Sequence, residues 1–78
     1  MRKWRVLFSR KEAILRDLRA IEIHGARFYD ILFSFTETPD TRPESGRIGA
    51  EMIYAHPRAG DRVMIEQVAN VVTRVEKL

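Results

Sequence analysis

Residues 9–36 read SRKEAILRDLRAIEIHGARFYDILFSFT, and the way this run divides between helix and strand decides the fold. Its second part, residues 26–36, is the longest β-prone stretch of the chain. Tyr29, Ile31, Phe33 and Phe35 alternate onto one face of a strand; Phe28, Asp30, Leu32, Ser34 and Thr36 fall on the other. The first part reads as a helix. Ser9 is a helix-capping residue with Glu12 three positions on, the spacing of a capping box. Ile14, Leu18 and Ile21, with Leu15 alongside, recur at helical spacing. Glu12 and Arg16 form an i,i+4 pair, His24 lies in the last turn, and Gly25 closes the helix. A competing reading ends the helix near Ala20 and turns IEIHGARFY into a tight hairpin. His-Gly is a weak turn pair, so the helix is preferred.

Outward from this run the chain reads as strands. Residues 3–8 form a short one, with Trp4, Val6 and Phe8 on one face. Residues 37–46, ETPDTRPESG, hold two prolines and no apolar side chain and form a long loop. Residues 47–56 resume as strand until Pro57. The valine-rich end gives two more strands, about 62–66 and 71–76, turned at 67–70. The expected fold is a two-layer α+β domain, one N-terminal helix packed on a four- to five-stranded, mostly antiparallel sheet in the order β-α-β-β-β-β. A single domain spans residues 1–78.

Composition narrows the function. The 45% hydrophobic content is that of a folded chain, and without cysteine there is neither disulfide nor thiolate metal site. No apolar run reaches the roughly 20 residues of a membrane-spanning helix, which points to a cytoplasmic protein. The net charge of +3 is uneven. Residues 1–28 carry eight basic side chains against three acidic, and the remainder six against eight.

Chemistry finds little purchase. The four glycines are scattered, and none opens a helix after a strand. His24 and His56 share no metal-ligand spacing, and Ser9, Ser34 and Ser45 have no evident base. The expectation is a protein that is not an enzyme and takes no cofactor and no metal. The opening WRVLFSRKEAILRDLRAI and the closing GDRVMIEQVANVVTRVEKL resemble the strand-then-helix start and C-terminal hairpin of small RelE/ParE-type toxins. Those toxins insert a second helix where residues 26–36 read as strand, and the resemblance is not adopted.

The uncovered sheet face carries the functional argument. It collects Lys3, Arg5, Leu7, Phe28, Asp30, Leu32, Arg47, Glu51, Ile53, Arg62, Met64 and Glu66: four bases, three acids and one aromatic. Such a balance suits phosphates poorly. Apolar side chains rimmed by both signs of charge suit a protein partner. The expected function is a small protein-interaction module, an adaptor or inhibitor of the kind phages and mobile elements carry. It would bind a protein or nucleoprotein through Lys3, Arg5, Leu7, Phe28, Leu32, Ile53 and Met64, and a homodimer is one form it takes. The alternative is a nucleic-acid-binding protein using Arg2, Lys3, Arg5, Arg10, Lys11, Arg16 and Arg19. A further alternative closes the uncovered face by curling the last strands into a small barrel.

Overall fold

The computed structural model describes residues 7–38 and 40–78. Five strands form one antiparallel sheet: β1 (Phe8–Ile23), β2 (Ala26–Phe35), β3 (Glu44–Gly49), β4 (Arg62–Val68) and β5 (Val71–Lys77), in the spatial order β3-β2-β1-β4-β5. The expected helix is therefore corrected to a 16-residue strand, and the α+β fold to an all-β one. Ser9 caps nothing; it stands opposite Gln67 in the β1–β4 ladder.

The physical cause of the misreading is a β-bulge. The register of β1 against β2 runs Leu15↔Phe33 and then Asp17↔Leu32, so Arg16 is an extra residue. Before the bulge Ala13 and Leu15 face inward; after it Leu18 does. One inserted residue converts the two-residue period of a strand into the three-residue step from Leu15 to Leu18, which imitates a helix. Backbone bonds hold the bulge: Leu15 N–H donates to Asp61 O at 3.0 Å and Gly60 N–H to Leu15 O at 2.7 Å. Arg16 Nε donates to the buried Ser34 hydroxyl at 3.1 Å.

The bulge bends β1 so that its first half pairs with β4 and its second half with β2. After the β1–β2–β3 meander the chain crosses over through a 3-10 turn (Ala50–Met52) and returns to lie beside β1. Three hairpin-linked strands and a fourth returning beside the first make a Greek key. The sheet then curls until β3 meets β5: Gly46 lies against Val72, and Ile53 makes a parallel bridge to Val75. The result is a five-stranded, partly open Greek-key barrel, the architecture of the OB-fold.

The barrel interior holds Ala13, Leu15, Ile31, Phe33, Ile48, Ile53, Val63, Ile65, Val72 and Val75. The strand face read from Tyr29, Ile31, Phe33 and Phe35 is thus the core face, with Tyr29 and Phe35 packed at its margins. What covers it is the rest of the same sheet. Lys11 closes one end, its Nζ 5.3 Å from the Phe35 ring centre, and Phe33 and Phe35 meet edge to face at 5.3 Å.

Of the competing reading, the fold adopts the hairpin over IEIHGARFY but not the helix ending near Ala20. Ile23↔Ala26 flank a two-residue turn in which His24 and Gly25 take φ of 49° and 82°, the left-handed pair of a type I′ turn. The last two strands stand as expected, turned at Ala69 and Asn70. The expected strand over residues 47–56 instead ends at Gly49. The expected strand over residues 3–8, with Trp4 and Val6, lies outside the described residues except at its end. There Phe8, expected in the core, is exposed.

A methyl group on Gly46 would sit 2.8 Å from Val72 Cγ2. Gly46→Val should therefore cost about 1–3 kcal/mol in urea unfolding, with part recovered when Val72→Ala is added. Ala69 holds φ of 56° without being glycine; Ala69→Gly should raise stability by about 0.5–1 kcal/mol, read as a higher urea midpoint.

Candidate interaction surface

With the core face enclosed, the outer face of the barrel is the surface available for binding. Along β1 it presents Phe8, Arg10, Glu12 and Ile14, then Asp17, Arg19, Ile21 and Ile23 beyond the bulge. Cross-strand partners carry it onto β2 (Phe28, Asp30, Leu32), β3 (Ser45, Arg47) and β4 and β5 (Arg62, Met64, Glu66, Val68, Val71, Arg74, Glu76).

Four ion pairs match most of the charges on this face within the protein, Asp17 and Arg19 standing outside them. Arg47 Nε donates to Asp30 Oδ1 at 2.7 Å, Arg10 pairs with Glu76 at 2.9 Å, Arg74 with Glu66 at 3.7 Å, and Arg62 with Glu12. The Arg47 hydrogen bond holds the Asp30 carboxyl below the usual carboxylate range and raises Arg47 in turn. Residues 7–78 contain eleven basic and eleven acidic side chains, so the net charge of +3 resides in Arg2, Lys3 and Arg5. The barrel itself is electrically balanced.

Its apolar residues are not matched. At one end Phe8 pairs with Val68 and Val68 with Val71 across the strands, all on the outer face. Phe8 and Val71 are 58% and 62% exposed. Leu7, 66% exposed, adjoins them at the strand end, where its carbonyl accepts a bond from Ala69 N–H at 2.6 Å. At the other end Ile21 pairs with Phe28 and Ile23 with Ala26 on the outer face of the β1–β2 hairpin, with Leu32 further along. The concavities between are shallow. One of about 350 Å³ is lined by Asp30, Ile31, Ser45, Gly46 and Arg47, one of about 320 Å³ by residues 51–54 and 74–77, and one of about 230 Å³ by Asp17, Arg19, Asp30, Ile31, Leu32 and Ser45. All are at or below the lower end of the roughly 300–1,000 Å³ of a usual small-molecule site.

The sequence expectations divide accordingly. Phe28, Leu32 and Met64 lie on the outer face as expected, Phe28 and Met64 half-buried and Leu32 exposed. Leu7 is exposed at the barrel end. Ile53 is corrected: the crossover carries it into the core, where it bridges Val75. Arg2, Lys3 and Arg5 lie outside the described residues. Arg10, Lys11, Arg16 and Arg19, expected on a helix, are strung along β1. Arg10 is paired to Glu76, Lys11 lies 3.8 Å from Glu37, and Arg16 is bonded to Ser34. Phe8, Val68 and Val71 escaped the sequence reading. The signal was QVANVV, where a two-residue Ala-Asn turn puts its flanking valines on one face.

Among the described residues no three or more His, Asp or Glu side chains gather as a metal site, and no helix is long and apolar enough to cross a membrane. One polar cluster braces the crossover within itself, just before β4: Tyr54 Oη donates to Asp61 Oδ2 at 2.6 Å, and Arg58 N–H donates to the same oxygen at 3.1 Å. The tyrosine bond holds the Asp61 carboxyl below its usual range, while burial first, and the carboxylate second, push Tyr54 upward. Compared with protein-family models, curated proteins and solved structures, the chain matches none.

Because the folded value of Asp61 is depressed, its contribution is complete above the unfolded aspartate value of about 3.9 and is lost as pH falls through the folded one. Asp61→Asn should start less stable at neutral pH and lose less than the parent below pH about 4, read from urea midpoints across the acid range.

Proposed function

We propose that this protein is a non-enzymatic protein-interaction module whose contact surface is the apolar end of the barrel formed by Phe8, Val68 and Val71, with Leu7 beside it. The observation that carries the reading is the contrast at this end of the outer face: Arg10, Arg74, Glu66 and Glu76 are paired with one another while Phe8 and Val71 stand open to water. Phosphate binding rewards unmatched positive charge, because affinity comes from counterion release. A balanced barrel offers little of it, and displacing Glu12, Asp30, Glu66 or Glu76 from its arginine would be required first. A protein partner rewards the opposite pattern, an apolar centre within a polar rim. The rim here is the Arg10–Glu76 and Arg74–Glu66 pairs on the neighbouring rungs. The barrel architecture is shared by many binding functions and does not by itself choose among them.

The reading fits a small adaptor or inhibitor. Phe8 is its natural anchor, since aromatic side chains dominate interface energetics. The test isolates a partner from the native host, purifies it and measures its binding by calorimetry. Phe8→Asp with Val71→Asp should weaken that binding at least 10-fold, the effect of losing about 1.4 kcal/mol, without lowering the unfolding midpoint by more than a few degrees. Retained affinity in the double variant would overturn the assignment. So would micromolar binding of a labelled single-stranded 20-mer at about 50 mM salt that the double variant retains and added salt abolishes.

A further inference from the structure

Past the bulge, the outer face of β1, β2 and β3 carries two rows that mix charge with apolar surface. Asp17, Leu32 and Ser45 stand in line across the three strands, and Arg19, Asp30 and Arg47 form the next row. Asp30 belongs to Arg47: its Oδ1 accepts from Nε at 2.7 Å and its Oδ2 from Nη2 at 3.3 Å. Arg19, the neighbour of Asp30 on the other side, is left over. Of the five arginines on the outer face, four hold ion pairs among the described residues and Arg19 does not. Asp17 is engaged elsewhere, its Oδ1 accepting from the Leu18 N–H at 2.9 Å.

Arg19 also lines a concavity. The cleft of about 230 Å³ that it shares with Asp17, Leu32 and Ser45 adjoins the one of about 350 Å³ beside Gly46 and Arg47, with Asp30, Ile31 and Ser45 common to both. Leu32 is 37% exposed there, and Ser45 is exposed at the same place. Leu32 lies diagonally across the ladder from Arg19, a spacing that long side chains bridge. An unpaired guanidinium, an open leucine and a serine hydroxyl thus share a space the size of one residue.

We propose that this trough binds the C-terminal residue of a peptide, with the free carboxylate on Arg19 and an aliphatic side chain against Leu32. The guanidinium fork matches a carboxylate through two parallel hydrogen bonds. Leu32 requires that an apolar group sit close to that carboxylate, and a chain terminus holds both on one carbon. An internal peptide segment does not. The surrounding charges select a monoanion. At roughly 3.3 Å per residue Asp17 lies about 7 Å from Arg19 along the strand, and Asp30 stands opposite. With Arg47 these four side chains sum to zero, so a phosphate dianion meets no excess of positive charge to reward it. Capture of a terminal carboxylate is a recurring mode of peptide recognition. The trough lies at the other end of β1 from Phe8 and does not depend on the role assigned to that end.

An NMR titration of isotope-labelled protein with N-acetyl-Gly-Gly-Leu, as the free acid and as the C-terminal amide, tests it. A site for one residue implies a Kd on the order of 1 mM. The free acid should shift the backbone amides of Arg19, Leu32 and Ser45 together with the Arg19 Nε–H. The amide should bind at least about 10-fold more weakly. Arg19→Gln should weaken the free acid by a similar factor while the rest of the spectrum stays that of the parent. Arg19→Lys, which keeps the charge and loses the fork, should fall between the two. Equal binding of acid and amide would overturn the proposal, as would full affinity in Arg19→Gln or the absence of shifts at about 10 mM peptide, some ten times the expected Kd. Inorganic phosphate that displaces the peptide at equal concentration would mark a general anion site and overturn it equally.

Discussion

The extra residue at Arg16 is the constraint on which this architecture rests. A straight 16-residue strand could serve one flat sheet; the bulge lets β1 serve two halves of a barrel. It bends the strand, increases its twist and keeps an apolar residue facing inward on both sides of the irregularity. Two neighbours hold it, each from a different part of the chain. The backbone of Gly60 and Asp61 completes the bonding of Leu15, and Ser34 of β2 receives Arg16. The crossover that supplies Gly60 and Asp61 is itself fastened by Tyr54 to Asp61. Closure between Gly46 and Val72 is then a consequence of how far the bent strand swings its neighbours.

This dependence explains what could be read from the sequence. β5 carries its own register shift, which sets its inward Val72 and Val75 three residues apart; β2 and β4 alternate, and their inward residues Ile31, Phe33, Val63 and Ile65 were legible from pattern alone. The β1 segment was not, because a bulge is one residue long and its signature, apolar side chains at Ile14, Leu15, Leu18 and Ile21, is shared with an amphipathic helix. Ser9 and Glu12 added a capping box by coincidence; their partners are Gln67 and Arg62, some fifty residues away. The sequence reading also placed Phe28, Leu32 and Met64 correctly on the outer face, since that depends only on alternation within each strand. Ile53 was misplaced because it lies in the crossover, where alternation does not apply. Phe8 was misplaced because its apolar character says core, while in β1 the inward positions are those in step with Ala13 and Leu15 and Phe8 falls on the other face.

Charge and apolarity are distributed by different rules in this molecule. The barrel balances most of its outer-face charges by cross-strand pairing: Arg47 to Asp30, Arg62 to Glu12 and Arg74 to Glu66 between adjacent strands, and Arg10 of β1 to Glu76 of β5 across β4. Each exposed pair adds little stability by itself. Their collective effect is to remove the long-range field that would draw a polyanion to the sheet. The net positive charge sits in the first five residues, which precede Leu7 and Phe8 in sequence.

The Greek-key crossover bears on how the chain reaches this state. The β1–β2 and β4–β5 hairpins each close through a two-residue turn, the kind of contact that forms within about 1–10 μs. The β1–β4 ladder joins Glu12 to Met64 and Ile14 to Arg62, across most of the chain. Such distant pairing carries the loop-closure entropy that slows folding in proteins of high contact order. The two hairpins are thus available early, and the rate of reaching the barrel is governed by how often the ends of a long intervening segment meet in register.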